Sequence, residues 1–229
     1  MIKSKSNIKI KYVKSLYASK NRKKFKQFVV EGRNCVDMAK NANCIDYIIS
    51  INNNDEGILV SKEVMKSIVS TSSLIDVIAV CNIPFFSSKS DKVLVLENIQ
   101  DPGNLGALIR SALAFNFDLI VCSKSTVDFM NSKVIRASGG SIFQIKIIYD
   151  DIASYLKKSK NKTIGTFVDG KNDIIKLDKF NLVIGNEGTG ISADIELLCD
   201  YKHSIKINEN LDSLNAAVAG SILMYQLGG

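Results

Sequence analysis

Apolar residues fall in short unbroken runs separated by stretches of helical spacing, and this alternation is the first thing the chain says about itself. Residues 93–96 read Val-Leu-Val-Leu with no polar interruption, which predicts a central strand covered on both faces. Similar runs predict strands at 119–122, 143–148, 163–168, 182–184 and 204–207. Helical spacing between and after them predicts helices over 104–115, 132–138, 152–158, 193–199 and 213–227. Such alternation implies an α/β fold with a mostly parallel sheet. Upstream, strands at 28–30, 45–51 and 77–80 and helices over 31–40 and 61–69 outline a smaller α/β unit. Ile83-Pro84-Phe85-Phe86-Ser87-Ser88-Lys89-Ser90 breaks the rhythm. That predicts a boundary near Ser88, with domains 1–88 and 89–229.

Charge changes the picture at one end. Ten of the first 26 residues are Lys or Arg and none is acidic, so the rest of the chain carries −3 of the net +7. Ile8, Tyr12, Val13, Leu16 and Tyr17 recur at helical spacing inside this block, which predicts a basic amphipathic helix. A solvated charged face and a transit peptide are the bland readings. The block is Lys-rich and lacks a signal-peptide apolar core, so a polyanion partner, nucleic acid, is the expectation. Lys11, Lys14, Lys20, Arg22, Lys23 and Lys24, with Arg33 beyond them, are the residues expected to meet its phosphates. Five scattered cysteines without a C-x-x-C pair imply buried reduced thiols and a cytoplasmic setting. His203 is the only histidine, which argues against a histidine metal centre or a Ser-His-Asp triad. No apolar run reaches the roughly 20 residues that span a bilayer, so no membrane partner is expected.

Three polar loops follow predicted strands, and ligands of open parallel sheets sit beyond the carboxyl ends of strands. In the first, Asp101-Pro102-Gly103 reads as a turn and Asn104 as the cap of the following helix. Leu105, Leu108, Ala112 and Phe115 form that helix's core stripe, with Gly106 and Arg110 on the other face. A guanidinium beside a helix start suits an anion; a solvated Arg beside an ordinary helix is the alternative. The second loop is Gly185-Asn186-Glu187-Gly188-Thr189-Gly190, whose glycines let backbone amides approach a ligand. It lacks the Gly-Lys-Ser/Thr ending of a phosphate loop. In the third, Ser213 reads as a helix cap and Asn215 as a rim residue. The helix beyond it mixes an apolar stripe with Ala216, Ala219 and Gly220, which fits a dimer face as well as a core. Each loop alone also fits an ordinary turn. Their convergence at one rim predicts a small-molecule site.

Asn104-x-Gly106-x-x-x-Arg110, then Gly185-Asn186-Glu187-Gly188-x-Gly190, then Ser213-Leu214-Asn215-Ala216-Ala217-Val218-Ala219 resemble the three ordered motifs of SpoU/TrmH-type RNA ribose 2′-O-methyltransferases of the SPOUT class. The resemblance covers roughly residues 91–227, and Phe28-Val29-Val30-Glu31-Gly32-Arg33 looks like the ribosomal-protein-like substrate-binding domain that many members carry. Ile205-Lys206-Ile207 departs from the family's usual Ile-Pro-Met. The resemblance implies S-adenosyl-L-methionine (AdoMet) as donor, a C-terminal trefoil knot and a homodimer through the knotted domain. It implies catalytic roles for Asn104, Arg110, Glu187, Ser213 and Asn215. Gly185, Asn186, Glu187, Gly188 and Gly190, then Ile207, Ser213, Leu214 and Asn215, would hold the donor. No metal is required, because a sulfonium leaves as a neutral group. By analogy the substrate is ribosomal RNA in preference to transfer RNA. A catalytically silent RNA-binding module of the same fold is the alternative. A dinucleotide-binding enzyme is disfavoured by the absence of G-x-G-x-x-G after the first strand of either half.

Overall fold

The computed structural model describes residues 1–87, 89–171 and 176–228; Ser88, at the expected boundary, lies outside them. In chain order the elements are α1 (Ile8–Ser15), α2 (Ser19–Phe25), β1 (Gln27–Glu31), α3 (Arg33–Asn41), β2 (Ile45–Ser50), β3 (Ile58–Leu59), α4 (Lys62–Ile68) and β4 (Val77–Asn82). They continue with β5 (Lys92–Leu96), α5 (Pro102–Ala114), β6 (Leu119–Cys122), α6 (Ser132–Ala137), β7 (Lys146–Tyr149) and α7 (Ile152–Lys158). Last come β8 (Lys162–Lys171), β9 (Phe180–Ile184), α8 (Ala193–Glu196), β10 (Tyr201–His203) and α9 (Ala216–Gly228). Two compact units result: Met1–Phe85 with Met130–Phe143, and Phe86–Phe129 with Gln144–Gly229.

The first unit holds a sheet of order β1-β4-β2-β3, in which β4 runs antiparallel to both neighbours and β3 parallel to β2. Ile10, Val13 and Leu16 of the basic segment join Val29, Ile49, Met65 and Ile78 in its core. Each such aliphatic contributes roughly 1.5–3 kcal/mol when fully buried. Ile8 falls off this stripe and is 81% exposed. The segment is also two helices, not one, and Arg22 closes the first. Its guanidinium is buried and donates to the carbonyls of Leu16 (3.0 Å) and Tyr17 (2.6 Å), satisfying carbonyls that the end of α1 leaves open. The expectation that Arg22 meets RNA is therefore corrected. Arg22→Ala should lower the unfolding free energy by about 1–3 kcal/mol by leaving buried carbonyls without a donor. Chemical denaturation against Lys23→Ala, which changes an exposed residue, checks this.

A single cut at residue 88 does not describe the first unit, because α6 and the 3₁₀ turn Ser141–Phe143 pack in it. Arg136 on α6 donates to Ser70 Oγ at 2.7 Å and stands 4.0 Å from Glu31 Oε2. Buried Glu31 accepts from the Tyr17 hydroxyl (2.8 Å) and the Ser70 amide (2.9 Å). Phe143 stacks on Phe28 at 6.1 Å. The strand expected over 143–148 consequently starts only at Lys146.

The second unit is a six-stranded sheet of order β10-β8-β9-β5-β6-β7, with every pairing parallel. Central β5 pairs with β9 and β6, and Val93 to Leu96 are wholly buried, as an unbroken apolar run requires. The last strand occupies Tyr201–His203 in place of the expected 204–207. Past it, Ser204 bonds back to Lys171 and Gly170 and the chain leaves the sheet. The helix expected over 193–199 shortens to Ala193–Glu196. Helix α5 starts two residues before the expected cap. Asp101 is the N-cap, accepting from Asn104 N at 2.9 Å, and Pro102 takes the first helical position. Proline fits there because its missing N–H would have no partner anyway. Gly106, expected on an open face with Arg110, is buried. All five cysteines are free, with Cys35 and Cys199 only partly buried. Among the described residues no helix is long and apolar enough to cross a membrane.

Candidate active site

Strand β9 delivers its carboxyl end into the glycine loop, and the loop folds back on itself. The amides of Asn186 and Gly190 each donate to the other residue's carbonyl at 3.0 Å. A Cβ on Gly185 would stand 2.3 Å from Gly190 C, so only glycine fits. Asn186 organises the turn from within: its Oδ1 accepts from the amides of Gly188 (2.9 Å) and Thr189 (3.1 Å), and its Nδ2 donates to Asn98 O at 2.8 Å. Behind the loop, Glu97 at the end of β5 is buried and takes both Ser192 donors, N at 3.0 Å and Oγ at 2.6 Å. That carboxylate pins the far end of the loop region, while the Glu97 amide, donating to Ile184 O at 2.9 Å, holds the near end to the sheet.

Asn104 joins the three loops. Its Nδ2 donates to Glu187 Oε1 at 2.8 Å, and its Oδ1 accepts from Asn215 Nδ2 at 3.0 Å. The motifs therefore meet through one carboxamide, although 83 and 111 residues separate the pairs in sequence. Asn215 is also the cap of α9, its Oδ1 accepting from the amides of Ala217 (2.9 Å) and Val218 (3.2 Å). The expected cap, Ser213, stands two residues too early. The first turn of α9 begins at Ala216, so only Asn215 has those amides within reach.

Beside this junction lies a cavity of about 430 Å³, within the range of small-ligand sites, roughly 300–1,000 Å³. Of the residues expected to hold a donor, Gly185, Asn186, Glu187, Gly188, Gly190, Ile207, Ser213 and Leu214 line it. Asn215, Asn104 and Arg110 do not. Residues not anticipated add to the wall, among them Thr166, Phe167 and Val168 from β8, His203 at the end of β10 with Ser204 just past it, and Asp212. The carboxyl ends of β8 and β10 were the available signal, since the strand-end rule applies to them as much as to β9. The wall is chemically suited to AdoMet, with an apolar surface for an adenine, exposed backbone in the glycine loop, and carboxylates for a cationic group. Arg110 is exposed on α5 and, among the described residues, has no hydrogen bond or ion pair.

Residues 91–225 match the model of the SpoU rRNA Methylase family. The chain belongs to the SpoU rRNA methylase family. The 23S rRNA (guanosine(2553)-2′-O)-methyltransferase RlmP of Bacillus subtilis (strain 168) is 32% identical over 245 residues, spanning 100% of this chain and 99% of that protein. A putative TrmH family tRNA/rRNA methyltransferase of Staphylococcus saprophyticus is 31% identical over 146 residues, 61% of this chain and 59% of its own. The fold matches that of an AdoMet-bound rRNA methyltransferase from Sinorhizobium meliloti (TM-score 0.87, 23% identity, 98% of this chain and 95% of that one). It also matches the SpoU methyltransferase AviRb of Streptomyces viridochromogenes in complex with AdoMet (TM-score 0.85, 20% identity, 96% of each chain).

For a SpoU methylase, the charges expected to meet RNA divide into two groups. Lys11, Lys14, Lys20, Lys23 and Lys24 are exposed. Arg33 is committed elsewhere: it forms a two-pronged bond to Asp55 (2.7 and 2.9 Å) and reaches Asp76 at 2.8 Å. Two carboxylates occupy its fork, so a phosphate would have to displace them to reach it. The Arg33 guanidinium, helped by the Ser50 hydroxyl, holds the Asp55 carboxyl well below the usual carboxylate range. A carboxyl depressed on folding contributes stability above its unfolded pKa, about 3.9, and loses it as pH falls below that value. Thermal melting of Asp55→Asn should therefore lack part of the acid-side decline expected of the native chain as pH falls below about 4.

Proposed function

We propose that this chain transfers the methyl group of AdoMet to a ribose 2′-hydroxyl of ribosomal RNA. The observation that carries the reading is the Asn104 carboxamide joining Glu187 to Asn215 beside the glycine-walled cavity. When bound, AdoMet supplies a methyl group on a sulfonium whose departure leaves a neutral thioether. The chain's own part is positioning, which can supply on the order of 7–11 kcal/mol. The Gly185–Gly190 backbone, Ser213 and Leu214 would hold the donor, and Asn104 fixes the loops that carry them. Glu187 keeps its carboxylate on Asn104. Arg110, unengaged among the described residues, would grip an RNA phosphate and stabilise the 2′-oxygen as its proton leaves. Guanidinium groups stay protonated in proteins, which favours this electrostatic role over that of proton acceptor.

The exposed lysines of α1 and α2 would neutralise phosphates, in a first unit read as the ribosomal-protein-like RNA grip. Changing Lys11, Lys14, Lys23 and Lys24 together to Ala should lower RNA affinity at physiological salt by about 10-fold or more. It should also flatten the slope of log affinity against log salt by roughly 0.7–0.9 for each phosphate no longer neutralised. Filter binding across a salt series measures both. A homodimer through the C-terminal unit is supported by Val218 and Tyr225, large hydrophobic side chains left exposed on α9; light scattering on the full chain tests it. The trefoil knot and a cytoplasmic location accompany this reading as family properties. The deciding experiment incubates the protein with labelled AdoMet and separate ribosomal and transfer RNA pools, then maps the labelled ribose. Label in ribosomal RNA at a 2′-oxygen supports the proposal, label only in transfer RNA shifts the substrate, and label in neither overturns it.

A further inference from the structure

The charge of the cavity runs against that of the chain. The protein carries +7, yet the described cavity wall holds two carboxylates, Glu187 and Asp212, and neither a lysine nor an arginine. Glu187 is engaged with Asn104 at 2.8 Å and Asn186 at 3.4 Å. Asp212 is exposed and, among the described residues, has no hydrogen bond or ion pair. It lies between the end of β10 and the cap of α9, immediately before Ser213 and Leu214 of the same wall. A carboxylate without a partner among the described residues, on a wall that includes no lysine or arginine among them, selects for positive charge. It also disfavours nucleoside phosphates, which need the opposite wall.

We propose that Asp212 is a specificity-determining residue that lets the cavity tell the methyl donor from its demethylated product by charge. The proposal rests on the reading of the cavity as the AdoMet site. AdoMet and S-adenosylhomocysteine share the adenine, the ribose, the ammonium and the carboxylate. They differ in the methyl group and in the unit positive charge on sulfur. When the methyl moves to oxygen, the electron pair of the broken carbon–sulfur bond stays on sulfur, which becomes neutral, and the hydroxyl proton leaves to solvent. Interactions with the shared groups cancel in the ratio of the two dissociation constants. What survives is the interaction with the charge on sulfur, which a carboxylate favours out to a Debye length, about 8 Å at physiological salt. Asp212 thus retains the donor and loosens its hold once the methyl has gone, which limits product inhibition.

The test is calorimetric titration of the purified full-length protein with AdoMet and with S-adenosylhomocysteine, comparing native chain, Asp212→Asn and Asp212→Glu. In Asp212→Asn the AdoMet Kd should rise about fivefold, roughly 1 kcal/mol, while the product Kd holds or falls. Asp212→Glu should keep the native ratio, and the discrimination should shrink as salt is raised. Equal weakening of both ligands, which means contact with a shared group, overturns the proposal, as does no change in either. If the native chain binds neither ligand, the AdoMet reading of the cavity falls as well, which separates the two failures.

Discussion

Gly185→Ala is expected to reduce AdoMet affinity by on the order of 100-fold, equivalent to about 2.8 kcal/mol. The reason is geometric. The added Cβ would stand 2.3 Å from Gly190 C, 2.4 Å from Gly190 O and 2.5 Å from Ile191 N, and all three are backbone atoms that no rotamer change can move. Relief requires opening the Asn186–Gly190 bridge, which breaks two 3.0 Å hydrogen bonds and displaces the loop from the cavity wall. Overpacking of this kind costs typically 1–3 kcal/mol in stability, so the protein should remain folded. Calorimetry for binding and thermal melting for folding separate the two effects. Native affinity in the folded variant would show that the loop does not hold the donor. Gly188→Ala is the control, because its Cβ would meet nothing nearer than Asn186 Oδ1 at 3.6 Å.

Arg110→Ala should cut turnover by roughly 10²–10³-fold, the range seen when one group stabilising developing negative charge is removed, and should leave the AdoMet Kd unchanged. The split follows from where the residue sits. It is exposed, does not line the cavity and has no partner among the described residues, so neither fold nor donor site depends on it. Arg110→Lys keeps the charge but loses the planar fork that grips phosphate. It should recover a minor part of the loss, and near-normal turnover in that variant would remove any special role for the guanidinium. Single-turnover rates with saturating AdoMet and RNA measure the effect, and calorimetry confirms intact donor binding.

Much of the second unit was legible in the linear pattern, for a physical reason. Strands buried on both faces of a parallel sheet must be apolar throughout, so Val93–Leu96, Leu119–Cys122 and Leu182–Ile184 stand out without further information. The loop after β9 was equally plain, because a turn so tight that a Cβ at Gly185 would stand 2.3 Å from Gly190 C admits only glycine there. Helix starts were harder. Asp101-Pro102-Gly103 reads equally well as a turn or as a cap with proline in the first helical turn. The choice was made by Asp101 reaching the Asn104 amide. Arg22 looked like its lysine neighbours until the end of α1 was seen to point two carbonyls at it. Local periodicity likewise says that 132–138 is a helix, but not which core accepts it. The salt-bridged, hydrogen-bonded cluster of Glu31, Arg136, Tyr17 and Ser70 assigns it to the first unit.

The sequence by itself determined the α/β class, the basic N-terminal face and the three motifs of a SpoU methylase. Those properties reside in residue type and spacing, which burial and charge constrain position by position. Only the tertiary structure decided that Asn104 ties Glu187 to Asn215, that Arg22 is buried against backbone carbonyls, that Arg33 is paired with two carboxylates, and that Asp212 lies on a cavity wall whose described residues include no lysine or arginine. Contacts across 83 or 111 residues depend on where the sheet brings strand ends together, and no local pattern in the chain encodes that distance.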